Sequence, residues 1–362
     1  MKNLFNLKTI GCAMLLSFSF CTTLHAQTQK NVILFIGDGM AVAQWQTGMI
    51  ANKAPLNINK MKTIGLMTTN AANKFAGDGP SNGTALATGV QSLGGFIALD
   101  KDSMPLKSII DYADEAGIAS GVIAASTLAE GSIAPFVAHA KNRMQTDKIT
   151  AAYLEHSHLD VFISGGQKIF VERKDNRDIM GELQKKGYQV VTSIDSIRNI
   201  KSGKLAGFTA YESNPGINEG RGNMLPDAVQ TALNILSSNA KKGLFLVVQD
   251  TYIDKDSHFE KGDLVGMETI DFDKAIGNAL DYADRNKNTV VIVVGGPEAS
   301  GMSLPDANPK EGSVNAKWTE HGMIHTGVMV PIFAYGVDAQ QFQGIQDNTD
   351  IFFKIKKILL GK

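Results

Sequence analysis

The segment Asn31-Val-Ile-Leu-Phe-Ile-Gly-Asp-Gly-Met40 is the most informative about the architecture of the protein. Residues 31–36 form an almost continuous apolar run, which is typical of a strand buried on both faces of a parallel sheet. Gly37-Asp38-Gly39 then predicts a loop with a carboxylate directly after this strand. Because the site of an open α/β sheet forms just beyond the carboxyl ends of its strands, Asp38 is a candidate site residue.

Apolar, β-rich runs alternate with helical patterns along the rest of the chain. This order predicts an α/β three-layer sandwich with a mostly parallel central sheet covered by helices on both faces. No linker or repeat divides residues 27–362, so we expect a single domain with one large core. Further strands are predicted at 121–125, 161–164, 244–248, 289–294 and 330–335, and helices at 106–116, 224–238, 264–283 and 351–360.

Polar residues follow two more of these predicted strands. Gln249 and Asp250 follow the strand at 244–248, and residues 295–298 follow the strand at 289–294. The carboxyl ends of parallel strands share one edge of a sheet, so we expect these groups near Asp38. Residues 167–222 are more polar and irregular, and they are predicted to form an elaboration at the sheet edge over this site.

The first 26 residues are predicted to be a secretory signal peptide. Lys2 and Lys8 supply a basic start, residues 10–20 form an apolar run too short to span a bilayer, and Ala26 offers a small residue for cleavage. A membrane anchor is the weaker alternative because no stop-transfer pattern follows the apolar run. We therefore expect a soluble periplasmic or secreted protein that is free of the membrane after signal removal.

The composition argues against several classes of protein. Both cysteines, Cys12 and Cys21, lie in the predicted signal peptide, so neither disulfides nor thiolate chemistry is expected afterwards. Removing Lys2 and Lys8 from the 35 basic residues leaves 33 against 36 acidic residues, a net charge of −3. This balance provides no basic stripe for nucleic acid and no polybasic patch for anionic membranes.

The strongest local signal for chemistry is Asp254-x-x-x-His258, which lies just beyond a predicted strand. In a helix, this spacing places a carboxylate and an imidazole on one face, where they suit a borderline metal such as zinc. His325, shortly before the last predicted strand, is a candidate third ligand. The motif is short, and a solvated polar turn is the alternative when it is taken alone.

Several segments resemble the alkaline phosphatase family, in order and over essentially the whole chain after residue 26. The resemblance implies that family's α/β fold. It rests on Asn31–Gly39 with Met40, on Thr84-Ala-Leu-Ala-Thr-Gly-Val90, which is similar to the helix after the nucleophile, and on residues 132–143, 160–170, 253–258, 264–304 and 325–327.

The resemblance also implies a role for individual side chains. By position, Asp254, His258 and His325 would be the ligands of the first zinc, and Arg143 would bind phosphate. Asp38 and Ser132 would contribute to the magnesium site, and Glu130 would lie close to that metal. The guanidinium of Arg143 would hold two phosphate oxygens with its planar fork.

Four positions depart from the family pattern. Gly79, directly after Asp78, stands where the serine or threonine nucleophile would be. Gly296 and Pro297 replace the two remaining ligands of the second zinc. Gln249 replaces the glutamate that binds magnesium, and its amide keeps an acceptor oxygen but loses the charge. We therefore expect one zinc site, beside a weakened magnesium site.

Ser81, two residues beyond Gly79, is a candidate substitute nucleophile. The start of a helix suits an anion, but two residues of helix turn the side chain well away from the original direction. A serine at this place is more often a helix-cap residue. A single zinc ion could instead activate water directly against a phosphate held by Arg143.

The remaining histidines are weaker candidates. His139 is expected in the core, and His156 and His158 are expected in solvent. His321, four residues before His325, is expected on the surface, although it could reach the first metal.

Three functions are compatible with these residues. The first is a phosphoric monoester hydrolase of alkaline phosphatase lineage with impaired or altered one-metal chemistry. The second is a non-catalytic pseudophosphatase that binds zinc and phosphate or a small phosphorylated molecule. The third is an interaction protein that uses only the scaffold, and the retained metal trio with Arg143 argues against it. Many relatives are dimers, so a homodimer is expected by analogy only.

Overall fold

The strand β1 (Asn31–Gly39) runs through the centre of the molecule, and all its residues are buried. Leu34 and Ile36 enter one hydrophobic core, while Ile33 and Phe35 enter a second one. Successive side chains of a strand point to opposite faces of a sheet, so the two cores lie on the two faces. This confirms the prediction of a strand that is buried on both sides.

The computed structural model describes residues 29–156 and 159–361. The predicted signal peptide, both cysteines and the prediction for His158 lie outside these residues. Within the described ranges, no helix combines the length and the apolar composition that a membrane span requires.

The strands form a large mixed sheet and a separate hairpin. Among the described residues they are β1, β2 (Thr63–Met67), β3 (Ala119–Thr127), β4 (Leu159–Gly165), β5 (Tyr188–Val191), β6 (Lys204–Phe208), β7 (Leu244–Asp250), β8 (Thr289–Ala299), β9 (Met302–Asn308), β10 (Ser313–Trp318), β11 (His325–Thr326), β12 (Val330–Gly336) and β13 (Gly344–Gln346). The sheet has the order β13-β2-β12-β8-β1-β7-β3-β4-β6-β5, with β11 beside β8. From β8 to β5 all neighbours are parallel, whereas β12 is antiparallel to both β8 and β2. The mostly parallel sheet is confirmed.

Helices cover both faces of this sheet. In the described chain they are α1 (Val42–Asn52), α2 (Gly79–Thr88), α3 (Ile109–Ala116), α4 (Thr146–Glu155), α5 (Lys168–Val171), α6 (Ile179–Lys185), α7 (Ile194–Asn199), α8 (Met224–Asn239), α9 (Tyr252–His258), α10 (Gly262–Arg285) and α11 (Asn348–Leu360). The core with Leu34 and Ile36 contains side chains of α2, α3, α4 and α11, and the other core contains those of α1, α8, α9 and α10. This is the predicted three-layer sandwich.

Residues 167–222 lie at the far edge of the sheet, where β6 and β5 are the last two strands. Phe170 and Phe208 anchor this region with ring centroids 4.8 Å apart. The edge position is as predicted. The expectation that these residues also lie over the site is wrong, because the cavity described next is lined by other segments.

Candidate metal and phosphate site

A cavity of about 570 Å³ opens at the carboxyl ends of β1 and β8 and beside α9. Its walls come from Lys74 and from residues 76–80, 130–132, 142–144 and 323–325, together with the ends of these elements. The cavity therefore lies where the sequence predicts a site, at the edge of the sheet shared by the strand ends.

Gly39 allows β1 and α9 to approach each other closely. Its φ of +67° lies in the left-handed region that favours glycine. A Cβ atom on this residue would lie 2.6 Å from the Cα of Asp254, which no real side chain could occupy. The absence of a side chain here lets Asp38, at the end of β1, lie beside the predicted first metal site.

Asp254, His258 and His325 converge beside this cavity. One turn of α9 places His258 Nε2 3.3 Å from Asp254 Oδ1, as the spacing of four predicts. The pairing of β11 with β8 brings His325 Nδ1 to 3.7 Å from the same oxygen. The three ligand atoms all lie within 4.8 Å of one another.

These three atoms fit a single zinc ion. Each is buried, and none has a hydrogen-bond partner among the described residues. Burying unpaired donors and acceptors costs free energy, and a cation bound between these three atoms would remove that cost. The carbonyl of Gly322 lies 2.9 Å from His258 Nδ1 and can only accept, so this nitrogen carries the hydrogen and Nε2 keeps its lone pair for a metal.

A second zinc ion does not fit the residues on the other side of Asp38. Gly296 offers no ligand, and the position of a Cβ atom on it lies only 3.0 Å from Asp38 Oδ1. Pro297 lines the cavity with a ring that has no donor atom. Burial raises the pKa of the Asp38 carboxyl, and the nearby charge of Asp254 raises it further.

Asp38, Gln249 and Ser132 are the residues whose oxygens would face magnesium, and of these only Asp38 can carry a negative charge. Gln249 Nε2 donates a hydrogen bond to Asp38 Oδ2, so this carboxylate oxygen is satisfied without a cation. The remaining acceptors, Asp38 Oδ1, Gln249 Oε1 and Ser132 Oγ, are buried without partners in the described chain. Magnesium binds through carboxylates, and of these three residues only Asp38 supplies one, since Gln249 offers an uncharged amide oxygen. This set fits a magnesium ion less well than the trio fits zinc.

Gly79 starts α2 and presents no side chain to the cavity that it lines. The position of a Cβ atom on Gly79 lies 2.9 Å from Ser132 Oγ. Ser81 does not line the cavity, because its hydroxyl belongs to a capping box. Ser81 Oγ accepts from Asp78 N at 3.1 Å, and Ser81 N donates to Asp78 Oδ1 at 3.0 Å. The structure places Ser81 in the helix cap, the alternative to a nucleophile.

Arg143 lines the cavity with a half-exposed guanidinium. Its Nη1 lies 3.7 Å from Glu130 Oε2, and this carboxylate holds the arginine beside the cavity. Burial raises the pKa of Glu130, against the opposing effect of the Arg143 charge. The remaining guanidinium donors can bind an anion.

Several lining residues were not singled out from the sequence. They are Lys74, Asn142, Met144, Thr251, Met323 and Ile324. Adjacency to predicted site residues is a signal for some of them, since Met144 follows Arg143 and Ile324 precedes His325, but Lys74 and Met323 have no such neighbour.

The other polar candidates lie away from the metal trio. Asp250 points to the face of β7 opposite to Gln249, where Arg221 Nη2 lies 3.8 Å away. Strand alternation predicts this separation. His321 is exposed and forms an ion pair with Glu260, which confirms its expected surface position.

The two described core-side histidines bond to backbone carbonyls. His139 Nε2 lies 2.7 Å from the carbonyl of Leu106, so its ring has a hydrogen-bond partner as predicted, although the residue is half-buried and not in the core. His156 Nε2 lies 2.8 Å from the carbonyl of Val137, and its side chain is mostly buried. The prediction that His156 is solvated is therefore wrong.

Known proteins resemble the chain over nearly all of its length. A family model described as "Alkaline phosphatase" matches residues 29–298. The alkaline phosphatase of Escherichia coli (strain K12) is 28% identical over 93% of this chain and 87% of that protein. The streptomycin-6-phosphate phosphatase of Streptomyces griseus is 26% identical over 89% of each. The solved structure of the alkaline phosphatase from the Antarctic bacterium TAB5 superposes with a TM-score of 0.85 and 32% identity, covering 92% of this chain and 99% of that one.

Proposed function

Because the chain belongs to the alkaline phosphatase family, we propose that it binds one zinc ion and a phosphate monoester in this cavity and hydrolyses the ester slowly. The observation that carries this proposal is the convergence of three unpartnered ligand atoms, from Asp254, His258 and His325, beside Arg143 in one cavity. Gly79 lines the same cavity without a side chain.

The cavity residues would have separate roles in metal binding and in phosphate binding. Asp254, His258 and His325 would hold the zinc ion, which when bound supplies Lewis acidity and lowers the pKa of a bound water. Arg143 binds two phosphate oxygens with its planar fork and orients the ester. Glu130 keeps the guanidinium beside the cavity through its ion pair.

The rate is limited by what this chain lacks. Nucleophilic catalysis splits a difficult displacement into two easier steps, and Gly79 provides no hydroxyl for the first of them. Ser81 does not replace it, because its hydroxyl is bonded within the helix cap. We therefore expect turnover to be lower than that of a phosphatase with a serine nucleophile and two zinc ions by many orders of magnitude.

A non-catalytic protein that binds zinc and phosphate is the second candidate. The observation that favours it is the joint loss of the nucleophile at Gly79 and of both ligands at Gly296 and Pro297. In this alternative the cavity still binds the ester through Arg143 and the metal, and no bond is broken.

Metal content and turnover, measured on one preparation, test both candidates. We expect one tightly bound zinc per chain by mass spectrometry, since only one set of residues fits it. His258→Ala should lose this zinc, and the matched surface variant His321→Ala should keep it. Turnover of a chromogenic phosphomonoester that is slow in the wild type and lost in His258→Ala supports the hydrolase. Equal rates in both support the binding protein, and two zinc ions with magnesium would contradict the proposal.

The triple variant Gly79→Ser, Gly296→Asp, Pro297→His tests the reason for slow turnover. It returns a hydroxyl and two ligands, so we expect a second zinc and a large gain in rate. The aspartate introduced at position 296 would crowd Asp38 Oδ1. The thermal stability of the triple variant should therefore depend more strongly on zinc than that of the wild type. Fast wild-type turnover that Ser81→Ala abolishes would overturn the assignment of Ser81 to the cap.

We also propose that the protein is exported to the periplasm or secreted. The basic and apolar pattern of residues 1–26 supports this location. Mass spectrometry of the protein from a native-type host should find a mature N-terminus at or near Gln27. A chain retained in the cytoplasm with residues 1–26 intact would refute it.

A further inference from the structure

The mouth of the cavity is surrounded by exposed apolar side chains. Three of them line the cavity: Met144 is 79% exposed, Met323 64% and Ile324 44%. A fourth, Phe75, is 81% exposed and stands between Lys74 and Ala76, which line the cavity, with its ring against Gly327. We call these four residues the apolar rim.

The apolar rim differs from ordinary exposed hydrophobic residues. Single exposed apolar side chains are normal on a protein surface, but here three separate chain segments bring four of them to one opening. The walls below the rim are polar, with Arg143, Lys74 and the metal trio. Met144 and Met323 have flexible, polarizable side chains, which adapt to differently shaped apolar groups.

The size of the cavity also indicates more than a phosphate ion. At about 570 Å³ it has the volume of a site for a drug-sized ligand, which a single phosphoryl group would fill only in small part. A ligand whose phosphate lies on Arg143 would extend its alcohol portion outward, past the apolar rim. An apolar alcohol portion would remove the rim side chains from water, whereas a sugar would leave them unmatched.

We propose that the cavity selects phosphate monoesters with an apolar, aryl or alkyl alcohol portion, which packs on the apolar rim. This inference rests on the proposed function, because the phosphate must bind Arg143 and the zinc site for the alcohol portion to reach the rim. The apolar rim then determines specificity, and the charged floor binds the group that all phosphate esters share.

Two phosphonates that cannot be hydrolysed separate these contributions. Methylphosphonate and benzylphosphonate carry the same anion, and they differ by a phenyl ring that only the rim would contact. By titration calorimetry on the zinc-loaded full chain we expect benzylphosphonate to bind about tenfold more tightly, which corresponds to partial burial of one aromatic ring. In Met323→Ser/Ile324→Ser this ratio should fall to about two or less, because benzylphosphonate loses more affinity than methylphosphonate does.

A matched control uses the same residue types elsewhere on the surface. Met104 and Ile345 are 60% and 71% exposed and do not line the cavity, so Met104→Ser/Ile345→Ser should keep the tenfold ratio. Binding of methylphosphonate with a ratio near one in the wild type would overturn this inference and leave the proposed function standing. Failure of both phosphonates to bind would overturn both. An unchanged ratio in the rim variant with an altered sedimentation coefficient would instead identify the rim as a contact between copies.

Discussion

At the scale of single residues, the amide of Gln249 changes what Asp38 requires. A glutamate at this position would place two buried carboxylates side by side, and their repulsion would have to be offset by a bound cation or by protonation of one of them. The amide instead donates a hydrogen bond to Asp38 Oδ2, and the pair is stable without a metal. The uncharged amide of Gln249 and the lack of a side chain at Gly296 therefore act in the same direction, since neither residue supplies a negative charge for a second cation.

Gln249→Glu should make the protein depend on magnesium. Gln249 is fully buried, so in chelator the new carboxylate faces Asp38 without a partner, and we expect a loss of about 1–3 kcal/mol in the free energy of unfolding. Magnesium should restore most of this loss, because the variant has two carboxylates beside Ser132 Oγ. Urea denaturation with chelator and with magnesium measures the effect.

Gln44→Glu is a matched control for this prediction. Gln44 is also fully buried, and its Nε2 lies 3.2 Å from Glu298 Oε1, away from the cavity lining. The substitution creates a similar pair of carboxylates, and magnesium should not recover its stability. If magnesium leaves the urea midpoint of Gln249→Glu unchanged, the assignment of these oxygens as a weakened magnesium site is wrong.

The residues of the site differ in how far they could be predicted from the sequence. Asp254 and His258 follow from helical spacing, because local geometry alone brings them together. His325 is about 70 residues distant, and only the topology of β11 beside β8 explains its approach. The hydrogen bond from Gln249 to Asp38 and the apolar rim depend on contacts between distant segments, and no local pattern contains them.

At the scale of secondary-structure elements, the start of α2 explains why the Ser81 hydroxyl bonds within the helix cap. Asp78 is the N-cap and Ser81 the third helical residue, and their side chains bond reciprocally to each other's backbone N–H groups. This capping box satisfies two N–H donors that the first turn of a helix leaves without partners. The helix therefore begins at Gly79. The polar groups of its cap bond to the backbone of the first turn, so the Ser81 hydroxyl is not available as a nucleophile.

Substitutions in this cap should lower stability, and Ser81→Ala should leave turnover unchanged, since Ser81 does not line the cavity. Asp78→Ala should lower the free energy of unfolding by about 1 kcal/mol, and Ser81→Ala by a similar or smaller amount. Chemical denaturation measures both, and Ser193→Ala, at the N-cap of α7, is a control for a cap loss far from the cavity. Slow phosphomonoester turnover per folded Ser81→Ala molecule should equal that of the wild type. A loss of turnover without a loss of stability would show that Ser81 takes part in the chemistry.

Element boundaries were less predictable than element types. Residues 37–39 were predicted as a loop, but they continue β1 because both neighbours extend beside them, with Gly37 paired to Asp250 and to Gly295. The helix predicted at 106–116 begins at Ile109, because Ser108 Oγ accepts from Asp111 N and caps it. Strand pairing and cap geometry determine these boundaries, whereas apolar periodicity determines only the existence of the element.

At the scale of the whole molecule, a buried group of charges joins α10 to β7 and to the segment before α8. Arg221 bonds to Glu268 and, at 2.9 Å, to Asp271, and it lies 3.8 Å from Asp250. Three carboxylates share this one guanidinium, so the group has more negative than positive charge when all are ionised. Burial and the charge of Asp250 raise the pKa of Glu268 to about 8, even though Arg221 opposes the shift. Burial likewise raises the pKa of Asp250 to about 6.

These pKa shifts predict that stability falls as the pH rises towards 8. Between its ordinary pKa of 4.5 and about 8, Glu268 holds a proton in the folded chain and loses it on unfolding. The folded state then binds more protons than the unfolded state, so the free energy of unfolding decreases with rising pH across this interval and levels off above it. Urea denaturation between pH 6 and pH 9 should show this slope, and Glu268→Gln should flatten it. The exposed Glu311→Gln should leave it unchanged. A wild-type stability that rises from pH 6 to pH 8 would mean that Arg221 keeps Glu268 ionised in the folded protein.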